Sequence, residues 1–150
     1  IVEAVSPRYF DDKKRSYCIL AISQLLDSLL PESQEYKKIF ISLDNLVKNI
    51  EYDNWMIVYL YWELNLIKEL GFGFTLEKTN ANDELISINI DNSVYKIPRF
   101  IVNGEFPSKL SNKTINASLK FTRNLLLNKF YLPNNLNFPK SRLVFENYFN

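Results

Sequence analysis

The sequence predicts a mainly α-helical fold of about five helices with one small β-hairpin. Apolar residues recur at spacings of three and four along several long segments, which is the period of a helix that buries one face. Only residues 84–97 show the alternation that is typical of paired strands. A length of 150 residues with 47% hydrophobic side chains is enough for one packed core. Residues 1–150 are therefore expected to form a single domain.

The longest apolar segment, residues 54–78, is predicted to contain the helix around which the others pack. Apolar side chains occupy nearly its whole circumference, which is typical of a helix buried on most faces. They are Trp55, Val58, Tyr59, Trp62, Leu66 and Leu70 on one side, with Ile57, Leu60, Leu64 and Ile67 on the other. Asp53 or Asn54 is expected to cap its start, and Gly71 to close its end in the left-handed conformation.

Two helices are expected before this central one. The first begins at Asp11 and Asp12, whose negative charges suit a helix N-terminus, and stops at Pro31. The second begins near Ser33 and runs to Ile50. Short polar joints between these segments predict an up-and-down arrangement in which successive helices pack antiparallel.

A hairpin and two further helices are expected after the central one. The hairpin alternates from Leu85 to Ile90 and from Val94 to Ile97, around a turn at Asp91-Asn92-Ser93.

The fourth helix is predicted near residues 111–130, with Ser111 or Asn112 as its cap and Pro133 beyond its end. A short last helix is predicted over residues 139–149.

The composition excludes several classes of chemistry. The chain has no histidine, which removes Ser-His and Cys-His nucleophilic schemes and most zinc catalysis. It contains no glycine-rich phosphate loop, and Cys18 is its single cysteine, so no internal disulfide is possible and a reducing cytosol fits. No apolar run approaches the length of a membrane span.

Charge is distributed unevenly along the chain. Residues 1–103 carry 11 basic and 15 acidic side chains, whereas residues 104–150 carry 7 basic and 2 acidic ones. The basic C-terminal third is suited to an acidic partner or to phosphates, or it is a solvated helix face.

Glu63 is an acid placed among the apolar residues of the central helix, and a buried carboxylate needs a partner or a shifted pKa. Two interpretations stay open. The first is a structural pair with an arginine or a backbone cap elsewhere in the chain. The second is a general acid in a polar pocket, as in a carboxylate enzyme, although no second catalytic group accompanies it.

Three ordered blocks stand out in the chain. They are the segment from Trp62 through Glu63 to Gly73, with its Gly71-Phe72-Gly73 end, the segment Leu119-Lys120-Phe121-Thr122-Arg123, and the segment from Pro139 to Phe145. Together these blocks resemble the C-terminal helical region of the bacterial RecO family of recombination mediators and DNA repair proteins. Weaker similarity begins at Pro7-Arg8-Tyr9-Phe10-Asp11-Asp12. The resemblance implies a C-terminal fragment of a longer chain, without the N-terminal OB-fold of that family.

The resemblance also implies a function. It is a non-catalytic, cytoplasmic role in DNA repair and recombination, with no cofactor. The implied partners are the C-terminal tail of the single-stranded DNA-binding protein SSB, the RecR protein and, indirectly, RecA. Single- and double-stranded DNA would be bound mainly through the missing OB-fold, and no membrane is implied. Many members bind zinc through cysteines after the Gly-[Phe/Tyr]-Gly turn, but Thr79 stands at the first of those positions here, so no metal site is carried over.

The implied SSB-tail site combines cations with an apolar surface. Lys113, Lys120 and Arg123 are predicted to share one face of the fourth helix, with Phe121, or Leu119 and Leu126 beside it, lining an apolar slot. Arg142 opens the last helix within possible reach.

The two arginines are expected to contribute most to this site, because a guanidinium can bind a carboxylate through two parallel bonds. Tyr61 and Asn116 stand where relatives usually carry cations, which predicts weaker binding than in those relatives. The alternative is a helical protein-interaction module unrelated to DNA repair.

Overall fold

The computed structural model describes residues 12–30, 37–50, 52–72 and 74–150. Its helices are α1 (Lys13–Leu29), α2 (Lys37–Asn49), α3 (Trp55–Glu69), α4 (Arg99–Val102), α5 (Asn112–Leu126) and α6 (Lys140–Asn147), and its strands are β1 (Leu85–Ile90) and β2 (Ser93–Pro98). The prediction of a mainly α-helical fold with one hairpin is confirmed. No helix within these ranges is long and apolar enough to cross a membrane.

Helix α3 is the buried centre that its sequence predicts. Ten of its residues are buried, including Glu63. Gly71 closes it with a φ of +85°, and the Gly71 and Phe72 N–H groups donate to the carbonyls of Lys68 (3.0 Å) and Ile67 (3.2 Å). This is the Schellman arrangement, which satisfies carbonyls that the helix end leaves open. Asn54 occupies the predicted N-cap position. Its side chain makes no capping hydrogen bond, so the expectation that it accepts a free N–H group of the helix is wrong.

Helix α1 has a different neighbour from the one predicted. Its N-cap is Asp12, as expected, and the Asp12 carboxylate accepts the Arg15 N–H at 3.2 Å. The helix packs mainly against α6, where Ser141 donates to Gln24 at 2.7 Å, whereas α2 packs on α3. The expected sequence of antiparallel neighbours is therefore wrong at its first step. The expected boundary residues Asp11, Pro31 and Ser33 lie outside the described residues.

The hairpin pairs antiparallel from Leu85 opposite Pro98 to Ile90 opposite Ser93. Asp91 (φ 49°) and Asn92 (φ 68°) form a two-residue turn of the kind that suits the strand twist, so Ser93 already belongs to β2. Ile90, Tyr95 and Ile97 bury one face of the hairpin.

Two elements differ from the sequence prediction after the hairpin. Helix α4 is only four residues long, with Phe100, Ile101 and Val102 buried, and no helix was predicted between the hairpin and residue 111. Helix α5 begins at the Ser111 cap, which accepts the Thr114 N–H at 3.1 Å. It is α-helical to Leu126 and then continues as a π-helical turn, Leu127–Tyr131, so the two together cover the predicted helix.

We expect Gly71→Ala to lower the free energy of unfolding by about 1–2 kcal/mol, because a residue with a Cβ is strained at this left-handed φ. A Cβ at Gly71 would meet no atom within 4 Å, so the loss would come from the backbone alone. Chemical denaturation followed by circular dichroism measures it. Gly71→Asn is the matched control and should lose less, since asparagine adopts this conformation more readily. Equal stability of the glycine and alanine proteins would contradict the assigned cap.

Candidate functional site

A groove of about 500 Å³ lies between α5 and the hairpin. Its lining residues are Leu85, Val94, Tyr95, Lys96, Lys113, Asn116, Ala117, Lys120, Phe121, Asn124 and Asn128. The Asn128 side chain donates to the Tyr95 hydroxyl at 2.9 Å, and Lys129 forms an ion pair with Asp91 in the hairpin turn. These contacts hold the hairpin turn beside the C-terminal end of α5.

Three lysines line this groove, and no carboxylate is among its lining residues in the described chain. Lys113 and Lys120 come from exposed positions of α5, as the sequence predicted. Lys96 comes from β2 and was missed, although its alternation with the buried Tyr95 and Ile97 already marks it as outward-facing. The groove therefore has one basic wall on the helix and a further cation on the strand.

Phe121 forms the floor of the groove. Only 2% of Phe121 is exposed, and its ring meets Phe74 and Tyr95 edge-on, each with a centroid separation of 5.9 Å. Leu119 and Leu126 are fully buried in the core and do not line the groove.

Arg142 lies in the core, 0% exposed, and binds Glu63 through two parallel hydrogen bonds. Its Nε donates to one carboxylate oxygen at 2.9 Å and its Nη2 to the other at 2.8 Å. Nη2 also donates to the Leu119 carbonyl (3.0 Å), and Nη1 donates to Glu146 at 3.2 Å. Every nitrogen of this guanidinium thus has a protein acceptor. Arg142 is the structural partner that Glu63 needs.

The pKa of Glu63 reflects this pairing. Burial raises the pKa of its carboxyl group, but the charge of Arg142 and the hydrogen bonds from Arg142, Thr122 and Tyr59 outweigh burial and leave the pKa below its ordinary value. Burial lowers the pKa of Arg142, and the Glu63 carboxylate more than reverses that effect. Glu63 is thus a sealed carboxylate, and its interpretation as a general acid in a polar pocket is excluded.

Arg123 is also engaged away from the groove. Its Nε lies 3.3 Å from the Glu146 Oε1 atom, within ion-pair distance. This buried Nε makes no hydrogen bond in the described chain, so we take the contact as electrostatic. Arg123, Glu146, Arg142 and Glu63 form a chain of alternating charges that joins α5, α6 and α3. The structure therefore brings Lys113, Lys120 and Phe121 together in the groove and directs both arginines elsewhere.

Tyr61 and Asn116, the two residues expected from the sequence to weaken tail binding, lie in different places. Tyr61 stacks on Phe106 with ring centroids 4.6 Å apart, and its hydroxyl donates to the Glu105 carbonyl at 2.6 Å, outside the groove. Asn116 lines the groove and donates to the Asn150 side chain at 2.8 Å.

Thr79 is fixed by Asn103, whose side chain accepts the Thr79 N–H at 2.8 Å. Across the described ranges, no three histidine, cysteine, aspartate or glutamate residues are grouped to hold a metal ion. The expected lack of a zinc site stays a prediction.

Arg142→Leu is expected to cost about 3–5 kcal/mol of folding free energy, because it leaves the Glu63 carboxylate buried without its counterion. The double variant Glu63→Leu/Arg142→Leu should lose less than the sum of the two single variants, since it removes both charges. Urea unfolding of the four proteins measures this coupling. Additive losses would show that the two side chains stabilise the fold independently.

Stability should also depend on pH through Glu63. Because the folded pKa lies below the ordinary value of 4.5, this carboxylate stabilises the fold above that pH, and its contribution is lost as the pH falls toward the folded pKa. Glu63→Gln should flatten the fall in unfolding free energy between about pH 6 and about pH 3. Tyr59→Phe keeps the charge pair and should retain most of the pH dependence. An unchanged curve for Glu63→Gln would contradict this assignment.

Comparison with known proteins gives one consistent family. The model of the family described as "Recombination protein O C terminal" matches residues 11–134. The DNA repair protein RecO of Ehrlichia chaffeensis is 34% identical over 94 residues, which are 59% of this chain and 38% of that protein. The DNA repair protein RecO of Wolbachia pipientis wMel is 26% identical over 164 residues, covering 95% of this chain and 68% of that protein.

No solved structure matches the chain. The chain spans only 38% of the Ehrlichia relative and 68% of the Wolbachia one. The family match extends over the hairpin and five of the six described helices, α1 to α5, and it stops before α6. From the extent of this match and the agreement of its relatives, the chain belongs to the RecO C-terminal family.

Proposed function

We propose that this chain is the helical part of a DNA repair and recombination mediator that acts by binding partners, without catalysis. Family membership supports the repair role, because the relatives are named as DNA repair proteins. It favours this role over a helical interaction module unrelated to DNA repair. The sealed environment of Glu63 supports the non-catalytic part of the proposal.

The partner that we propose for the groove is the acidic C-terminal tail of SSB. Such a tail presents several carboxylates and ends in an aromatic residue with its own α-carboxylate. The observation that carries the proposal is the groove itself, in which lysines and apolar side chains meet with no carboxylate among the lining residues described. Lys113 and Lys120 would attract the acidic residues, and the apolar surface around Tyr95 and Phe121 would receive the ring.

In this proposal the two arginines do not contact the peptide, and they stabilise the packing of the helices beside the groove. Arg123 pairs with Glu146 and so links α5 to α6, and Arg142 pairs with Glu63 and so links α6 to α3. We therefore propose the reverse of the order of importance expected from the sequence, with the lysines ranked above the arginines in direct contact with the peptide.

The remaining partners rest on the family alone. We propose that RecR binds this region and that RecA is affected indirectly, when it replaces SSB on single strands. Single- and double-stranded DNA would be bound mainly by an OB-fold outside the residues of this chain. The proposed location is the cytoplasm.

A fluorescent SSB-tail peptide tests the groove. Lys113→Ala and Lys120→Ala should each weaken binding by under about 1 kcal/mol, as exposed ion pairs do, and the double variant should weaken it by roughly the sum. Removal of the terminal aromatic residue of the peptide should abolish binding. Fluorescence anisotropy at fixed salt gives the affinities.

Two controls make this experiment specific. Lys78→Ala removes an exposed lysine outside the groove and should leave the affinity unchanged. A peptide of the same composition with its aromatic residue moved inward should bind less tightly than the natural order. Equal binding by wild type and the double lysine variant would place the tail site elsewhere.

A further inference from the structure

We infer that the acidic peptide binds as an added β-strand along the free edge of β2, so that the hairpin and α5 form the two walls of one site. This inference rests on the proposed function and specifies how the groove holds its ligand. It assigns binding roles to Val94 and Lys96, which lie outside the residues predicted from the sequence.

The register of the hairpin leaves this edge unpaired. In a hairpin closed by a two-residue turn, the residues that flank the turn exchange both backbone hydrogen bonds, and alternate pairs do so after them. Ile90 and Ser93 flank the turn, so the Asn89–Val94 and Ser87–Lys96 pairs direct their backbone N–H and C=O groups outward. Strand β2 has β1 as its only neighbour in the sheet, within the described chain.

The same edge opens into the groove. Three consecutive residues of β2, from Val94 to Lys96, line it, although their side chains alternate between the two faces of the hairpin. Lining by consecutive residues is expected where the backbone edge, and not one face, borders a groove. Val94 is 70% exposed on this strand, so its side chain is accessible to a strand added beside β2.

Charge selects an acidic occupant for this edge. A strand added beside β2 would point alternate side chains to opposite faces. Those on the α5 side would meet Lys113 and Lys120, and those on the outer side would lie beside Lys96. A run of consecutive acidic residues would thus find a cation on both faces, and it would supply carboxylates to three lysines that have none among the described lining residues.

Contacts with α5 and with the π-helical turn after it fix the hairpin in place at one side of the groove. Tyr95 contacts Phe121 edge-on and accepts the hydrogen bond from Asn128, while Asp91 pairs with Lys129. These contacts use the buried face and the turn, and none of them uses the outer edge of β2. Added-strand recognition takes its affinity from backbone hydrogen bonds and its specificity from the alternate side chains.

Backbone N-methylation of the SSB-tail peptide tests this inference on the unmodified protein. In an added strand, alternate N–H groups of the peptide would face β2. Methylation of one of these N–H groups removes a hydrogen bond to β2 and should weaken binding by roughly tenfold, whereas methylation at the intervening positions should have little effect. A uniform response at all positions, or none at any, would overturn the added strand and leave the proposed tail site intact.

Matched protein variants provide the second measurement. Val94→Pro removes an outward N–H on the groove edge and should weaken binding roughly tenfold, whereas Asn89→Pro removes the equivalent N–H on the opposite edge and should not. Lys96→Glu should weaken binding and Lys78→Glu should not, and a peptide with one acidic residue changed to lysine should regain affinity for the Lys96→Glu protein. Circular dichroism checks that each variant is folded.

The outcomes separate the two proposals. If the wild type binds the peptide but Val94→Pro and Lys96→Glu bind as tightly as their controls, the added strand is wrong and the tail site stands on α5 alone. If the wild type does not bind the peptide, both proposals fall.

Discussion

The bidentate bond between Glu63 and Arg142 is the interaction on which the arrangement of the helices depends. It joins the central helix α3 to α6 at the other end of the sequence, and the same guanidinium reaches the Leu119 carbonyl of α5. Two ions removed from water are costly unless their remaining hydrogen-bonding groups are satisfied, and here Tyr59 and Glu146 complete the set. The geometry that satisfies all these groups fixes three helices relative to one another.

This network separates the charges that stabilise the fold from the charges that are free to bind. The planar guanidinium has donors enough to satisfy several buried acceptors at once, which suits Arg142 to the core, and Arg123 extends the same network through Glu146. Lysine is a compact, strongly hydrated charge on a flexible stem, and the lysines of α5 and β2 stay in solvent around the groove. In the C-terminal third, Arg123 and Arg142 are engaged in this network, whereas Lys113 and Lys120 are exposed at the groove.

The sequence predicts most of the helices and little of how they meet. Periodicity locates the long helices, and local chemistry identifies the Asp12, Ser111 and Gly71 caps, because these signals lie within a few residues of one another. The packing of α1 on α6 joins opposite ends of the chain, and Glu63 finds its partner 79 residues away. Spacing shows that Glu63 needs a cation, but it does not distinguish a buried arginine from an exposed one on a short helix. Lys96 was overlooked because a strand cation becomes part of a basic site only when the hairpin is placed against α5.

The hairpin links stability to the proposed binding site. Two strands alone are marginally stable in water, so this pair depends on what it packs against. Here Tyr95 and Ile97 bury one face, and the polar contacts of Asn128 and Lys129 hold the turn end to α5. All of these contacts are made by one face and one end of the hairpin, and among the described residues no strand pairs with the outer edge of β2, which lies beside Lys113 and Lys120. The contacts that keep the hairpin folded are therefore the ones that create a two-walled groove, and loosening the hairpin would remove one wall without disturbing the charge network beneath α5.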